Sequence, residues 1–260
     1  MSRRVVVTGI GMITALGHNA CENWERMLEA QTGTDRITLF DPEGYESQVA
    51  GEVKDFDPTK YMDRKEARRA DRFTQFAFVA AQEALAQARY DIDRANGQDT
   101  AVVVGTAIGG VTTLMEEYDT LLAKGPGRVS PFLVPMMLPD MASGQLSIRL
   151  GAKGVNYALV SACASGADSI GEAANMIRRG DVDVAVAGGT EAAVTPIIVA
   201  GFSAARALTE RNHDPKHASR PFDIERDGFT IAEGAGILVL ESEEHATQRG
   251  ATILAELAGY

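Results

Sequence analysis

Cysteine is scarce: the 260 residues hold two, Cys21 and Cys163. That argues against a disulfide scaffold and fits a reducing, cytoplasmic setting. No apolar run approaches the roughly 20 residues that span a bilayer. After Met1-Ser2-Arg3-Arg4, the run Val5-Val6-Val7 is too short for a signal-peptide core. Positive charge is in deficit, with a net charge of -11. Such a chain is repelled by nucleic acid and by anionic membrane, so neither is expected as a partner. There is no metal-ligand spacing, low-complexity segment, Pro/Ser linker or short-period repeat. Aromatic residues make up only 6%, against 26 glycines, which suggests closely packed helices and strands joined by tight turns.

What is present is globular. A hydrophobic content of 45% supports one substantial core with a possible satellite layer, and 23% charged residues argue against disorder. Strand-like runs are expected at 4–8, 101–105, 155–160, 182–187, 236–241 and 253–260. Helical patterns lie between them near 20–29, 63–88, 109–122, 136–150 and 163–179. The alternation predicts an α/β layered fold, and the unbroken apolar runs predict a sheet covered on both faces. The clearest helix spans 71–89. There Phe73, Phe76, Ala77, Ala80, Ala81, Ala84, Leu85 and Ala88 form one stripe, with Gln75, Gln82, Glu83 and Gln87 opposite. A stripe made mostly of alanine can lie close to its neighbour. The polar, turn-rich segment 206–230 is read as an ordered excursion.

Val160-Ser161-Ala162-Cys163-Ala164-Ser165-Gly166 carries the most chemistry. An apolar run ends there and a helical pattern begins, with Ala164, Ala167, Ile170, Ala174 and Ile177 on one side. Cys163 is expected at a strand-to-helix corner, where unpaired N–H groups and the helix dipole favour a nucleophilic thiolate. Ala162, Ala164 and Gly166 leave room for a substrate. The alternative is a buried cysteine used as a small hydrophobe. Cys21, among ordinary helix residues, is read as structural.

Other features admit plain readings. The run 220–236 mixes charges with aromatics and reads as an internal salt-bridge network holding a loop to the core. Gly9-Ile10-Gly11-Met12-Ile13-Thr14 half-matches a dinucleotide fingerprint, but Thr14 stands where the third glycine belongs. Gly105-Thr106-Ala107-Ile108-Gly109-Gly110 has no P-loop lysine. Both are read as backbone turns. Arg64, Lys65, Arg68, Arg69 and Arg72 cluster in one helical stretch, with Arg64, Arg68 and Arg72 spaced to stack like charges. The cluster is either a solvated face partly neutralised by Asp63, Glu66 and Asp71, or a docking patch for an acidic partner.

Together these residues resemble the β-ketoacyl-[acyl carrier protein] synthases, most closely the elongating type II enzymes. The likeness runs through Arg4-Val5-Val6-Val7-Thr8-Gly9-Ile10-Gly11, 105–110, Ser161-Ala162-Cys163-Ala164-Ser165-Gly166, 187–191, 201–208 and 220–236, so it covers essentially the whole chain. It implies a thiolase-like αβα layered fold built from two similar halves, usually a homodimer. Residues 1–260 would be the N-terminal domain, with the second half starting near 251–260. The implied reaction is the decarboxylative Claisen condensation of fatty acid elongation. An acyl chain moves from a carrier thioester to Cys163, malonyl-carrier loses CO2, and the resulting carbanion attacks the acyl-enzyme. The Cys163 N–H would contribute to an oxyanion hole. By the resemblance, Ile108, Leu133, Ala162, Ala193 and Phe202 would bind the substrate, and Lys65, Arg68, Arg69, Arg128 and Arg206 would meet the acyl carrier protein. No cofactor and no metal are expected.

The departure is in what does not match. The family draws two histidines, a lysine, a second oxyanion donor and a gating phenylalanine from its C-terminal half. His18, His213, His217 and His245 sit in none of its catalytic motifs. The expectation is therefore part of a longer enzyme, holding the nucleophile without the condensation machinery and exposing surface meant for the second half. Two other readings stay open. One is a non-catalytic partner subunit such as a chain-length factor, which the retained Cys163 disfavours. The other is a nicotinamide-dependent oxidoreductase, suggested by the loop at Gly9.

Overall fold

A computed structural model describes residues 3–93 and 95–260. In chain order its elements are β1 (Val5–Thr14), α1 (Ala20–Leu28), β2 (Thr34–Arg36), β3 (Val49–Gly51), α2 (Arg64–Ala67), α3 (Arg72–Ala88), β4 (Thr100–Gly105), α4 (Val111–Lys124) and α5 (Leu133–Met137). There follow α6 (Met141–Leu150), β5 (Asn156–Tyr157), α7 (Ser165–Arg179), β6 (Val184–Glu191), α8 (Pro196–Ala204), β7 (Ile231–Ala232), β8 (Gly234–Ser242), α9 (Glu243–Gln248) and β9 (Ala255–Glu256). No helix among the described residues is long and apolar enough to cross a membrane.

Six strands form one mixed sheet in the order β5-β4-β6-β8-β1-β9. β4 runs parallel to β5 and β6, while β8 is antiparallel to both β6 and β1. The period-2 alternation of strand side chains divides the core in two. Val102, Val104, Val184, Val186, Ile237 and Val239 join Phe73, Phe76 and Ala80 of α3 on one face. Ala101, Val103, Ala185, Ala187 and Leu240 join Ala173, Ala174 and Ile177 of α7 on the other. The sheet is thus covered on both faces, as its apolar runs predicted. A second sheet, β2-β3-β7, sits over a satellite cluster of Ile37, Ala50, Ala193, Val194, Val199, Leu208 and Ile231.

Several expectations are corrected. Gly9–Thr14 is no turn: β1 runs on through it, with a register irregularity between Val7 and Gly9. The glycines are there because α3 lies directly on the strand. A Cβ on Gly11 would fall 1.8 Å from the Ala80 carbonyl oxygen, and one on Gly9 2.0 Å from that of Ala84. Glu83 and Gln87 do not simply face solvent. They accept from the N–H groups of Met12 (2.8 Å) and Ile10 (2.7 Å), satisfying backbone that no strand pairs. The continuous strand also removes the structural basis for a dinucleotide loop.

The run 155–160 pairs only at Asn156 and Tyr157, against Val102 and Val103, because β5 is the sheet's edge. The last run likewise shortens to β9 against β1. The stretch 63–88 is two helices, each with its own aspartate cap: Asp63 accepts from the N–H groups of Lys65 and Glu66, and Asp71 from that of Phe73. Arg64, Arg68 and Arg72 therefore do not share one helical face. Arg72 is half-buried and makes a two-pronged ion pair with the buried Glu233, at 2.9 and 2.6 Å. That pair fastens the 220–236 run to α3. The expected internal network exists there, with Arg220 3.6 Å from Asp223 and Thr209 bonded to Asp227 at 2.7 Å. The apolar members of the run do not join it, since Phe222 is 100% exposed and Ile224 95%.

Replacement of Gly11 by alanine drives a methyl group into the α3 backbone. We expect a loss of about 3 kcal/mol or more of stability. A urea unfolding midpoint unchanged in Gly11→Ala would contradict this packing.

Candidate active site

Cys163 stands on a turn between the unpaired end of the 155–160 run and α7. It is exposed, in a single 3-10 turn at Ala162–Ala164, and α7 proper begins two residues later at Ser165. The expected corner is present, with the sulfur just before the α-helix rather than within it. Ala174 and Ile177 of the predicted stripe are buried and Ile170 is half-buried, whereas Ala164 and Ala167 face out. Ala162 has φ +54°, a left-handed value that alanine adopts only under constraint. Ser165 Oγ accepts from the Ser161 N–H at 3.0 Å and donates to the Ala162 carbonyl at 2.7 Å. The Ser161 hydroxyl donates to Asp168. The Cys163 N–H finds no acceptor among the described residues.

α7 reaches this place because two glycines meet. A Cβ on Gly189 of β6 would lie 2.8 Å from Gly166 Cα. The helix start can therefore rest on the carboxyl end of β6, beside the parallel β4. Two residues on, Glu191 accepts from the N–H groups of Ala107 (2.8 Å) and Ile108 (3.1 Å) through one oxygen. Its other oxygen is buried without a hydrogen-bond partner among the described residues. Burial pushes the Glu191 carboxyl above its ordinary value, against the hydrogen bonds that lower it. Glu191 thus holds the 106–110 turn against the end of β6. Neither Glu191 nor Ser165 has a role that follows from the sequence pattern alone. The legible signal was a carboxylate closing an otherwise apolar strand.

Of the predicted substrate-binding residues, Ile108 and Ala193 pack into the same satellite cluster. Phe202, on α8, meets Phe229 edge-on at 5.3 Å. Leu133 opens α5, whose last residue, Met137, accepts from the Gly110 N–H at 3.1 Å. Ala162 adjoins the sulfur. Two surface cavities, of about 210 and 220 Å³, lie elsewhere, along Arg3–Glu244 and Thr14–Asp55.

Lys65, Arg68, Arg69, Arg128 and Arg206 are all exposed, and none makes an ion pair among the described residues. Two of the three acids expected to neutralise the patch are otherwise engaged. Asp63 caps α2, and buried Asp71 caps α3 and accepts from Thr113 at 2.9 and 2.6 Å. The Arg69 guanidinium stacks 4.4 Å over the Phe132 ring.

Cys21 is exposed on α1, bonded to Glu25, whose hydrogen bond and charge push its thiol up. His245 and Arg249 bind the buried Glu241 carboxylate, and His217 pairs with Asp214. None of these contacts involves Cys163.

The family described as Beta-ketoacyl synthase, N-terminal domain, matches residues 2–246. The chain is 49% identical over 258 residues to 3-oxoacyl-[acyl-carrier-protein] synthase 2 of Synechocystis, covering 99% of this chain and 62% of that protein. The chain thus spans about three-fifths of that relative's length. Among solved structures, the ishigamide ketosynthase/chain length factor superposes with a TM-score of 0.90 at 34% identity, over 100% of this chain and 63% of that one. A type II PKS acyl-carrier protein in complex with its ketosynthase gives a TM-score of 0.87 at 32% identity, over 100% and 63%. The fold is thiolase-like, as the resemblance implied.

Glu191 yields a test with a defined sign. Its folded carboxyl holds its proton to higher pH than an unfolded one, near 4.3. Stability is therefore lost as pH rises from that value through the folded one. Glu191→Gln keeps an acceptor for Ala107 and Ile108 but cannot ionise. Urea midpoints between pH 4 and pH 8 are expected to diverge in favour of the glutamine variant as pH rises. Parallel curves would rule out the buried carboxyl as the cause.

Proposed function

The chain belongs to the β-ketoacyl synthase family, and from that premise we propose that it is the nucleophile-bearing part of a 3-oxoacyl-[acyl carrier protein] synthase of fatty acid elongation. The observation that carries the proposal is Cys163, exposed on a constrained turn at a helix start with its own N–H free. The Cys163 sulfur attacks the thioester carbonyl of an acyl-carrier. The negative oxygen that forms accepts from the Cys163 N–H. Collapse breaks the carrier C–S bond, the carrier leaves as its thiol with the proton, and the acyl group remains on Cys163. Condensation follows when malonyl-carrier loses CO2 and its carbanion displaces Cys163 from the acyl group. The groups that drive this second step lie outside residues 1–260 in this reading. The contacts of His18, His217 and His245 support that assignment, since none involves the nucleophile.

Ile108, Leu133, Ala162, Ala193 and Phe202 line the acyl chain in this proposal, with Glu191 fixing the turn that bears Ile108. Lys65, Arg68, Arg69, Arg128 and Arg206 dock the acidic carrier, and their lack of ion-pair partners among the described residues supports it. Exposed Leu114, Tyr118, Leu121 and Leu122 along α4, with the short edge strand β5, support a homodimer. Exposed Phe222 and Ile224 support a second half packed on the 220–236 run, beginning near 251–260. The two reduced cysteines support a cytoplasmic setting. An exposed thiol weighs against a partner subunit that only shapes a pocket.

Incubation with an acyl-carrier thioester is expected to add one acyl mass to the chain, on Cys163. A Cys163→Ala chain that still gains that mass would sink the assignment. The docking patch is checked separately. Arg68→Glu with Arg69→Glu is expected to slow acylation from the carrier by roughly tenfold or more, a loss that shrinks with added salt. Acylation from a small carrier-free thioester should be unchanged. An equal loss with both donors would place these arginines outside carrier recognition.

A further inference from the structure

The turn bearing Cys163 holds a conformation that its own residues resist. At Ala162, φ +54° brings a Cβ against the following carbonyl oxygen, and Ser161, at φ -128° and ψ 40°, also lies outside the regular regions. Such a conformation persists only where the surroundings over-determine it. One buried hydroxyl bridges the strained residue. Ser165, 3% exposed beneath a turn whose other residues all face solvent, accepts from the N–H of Ser161 and donates to the C=O of Ala162. These two backbone groups lie on opposite sides of the Ala162 φ and ψ bonds, so a single oxygen sets both. Ser165 is anchored in turn, since its carbonyl accepts from the buried Ser169 hydroxyl at 2.7 Å. Only one proton and one lone pair of the hydroxyl are needed, and both are used well within normal distance.

The geometry points to Ser165 as a positioning residue for Cys163: its hydroxyl clamps the turn left-handed at Ala162, which keeps the sulfur exposed at the helix start and the Cys163 N–H open. Ser165 touches no reacting atom. The importance of the clamp rests on Cys163 being the nucleophile, but its geometry does not.

The test uses the reactivity of the whole chain toward iodoacetamide, with Cys21 as an internal reference on another exposed element. The ratio of Cys163 to Cys21 labelling is read by peptide mass. Without the clamp the turn relaxes and carries the sulfur away from the unpaired N–H groups, so Ser165→Ala is expected to lower the ratio roughly tenfold. Ser165→Thr keeps the hydroxyl and should retain the wild-type ratio. Glycine takes a left-handed φ without a Cβ penalty, so Ala162→Gly added to Ser165→Ala should restore most of the loss. A wild-type ratio in Ser165→Ala, whatever its melting temperature, overturns the clamp. So does a Ser165→Thr chain as slow as Ser165→Ala, or a double variant without recovery. Failure of the wild-type chain to take an acyl group would strike the proposed function and leave this measurement standing.

Discussion

Close approach of backbone to backbone governs this fold. Two helices lie on the sheet nearer than side chains normally permit, and each does so where glycine removes a Cβ. α3 presses Ala80 and Ala84 onto Gly11 and Gly9 of β1. α7 meets Gly189 of β6 through Gly166. Interiors packed to crystal density transmit such constraints instead of absorbing them. With α7 seated against β6, the turn preceding it has little freedom, and Cys163 is carried on that turn. The sulfur's position follows from glycines that take no part in chemistry.

Charge is distributed by a related economy. The chain is acidic overall, yet the acids nearest the basic cluster are used for local work: Asp63 and Asp71 satisfy the first N–H groups of α2 and α3. Glu233 is used too, holding Arg72 in a buried pair. Lys65, Arg68 and Arg69 are left without ion-pair partners among the described residues. Such a patch keeps its field in a chain of net charge -11.

The parts of the structure that were legible in the sequence are those where one period dominates. α3 was readable almost to its ends, because its apolar stripe repeats over 17 residues. The corner at Cys163 was readable because an apolar run changes there to a helical pattern. β1 was misread past Thr8, since Gly-x-Gly looks like turn punctuation until the helix that needs it is seen. The strands of the second sheet, two or three residues each, carry no period to read. The spacing of Arg64, Arg68 and Arg72 implies one shared face only if a single helix runs through all three, and the helical run breaks between α2 and α3. The aspartates at 63 and 71 were available as separate start signals. Ser165 and Glu191 were visible as residues but not as partners, since the atoms they serve lie on backbone that no pattern describes.

The location of Cys163 also follows from connectivity. β4, β5 and β6 are parallel, so each link between them must cross the sheet and return, and each helix that precedes a strand starts at the opposite edge. The start of α7 and the 106–110 turn consequently emerge together at the carboxyl ends of β6 and β4. Open α/β sheets bind ligands at that edge. β8 runs the other way, while β1, in the same direction as β4 and β6, leads from that edge into α1. A side chain carried at that edge has the start of α7 on one side and the 106–110 turn on the other. Glu191 joins the two, because its carboxylate grows from β6 and grips the turn that leaves β4. The same sheet edge therefore holds both the turn that carries Cys163 and the turn that carries Ile108.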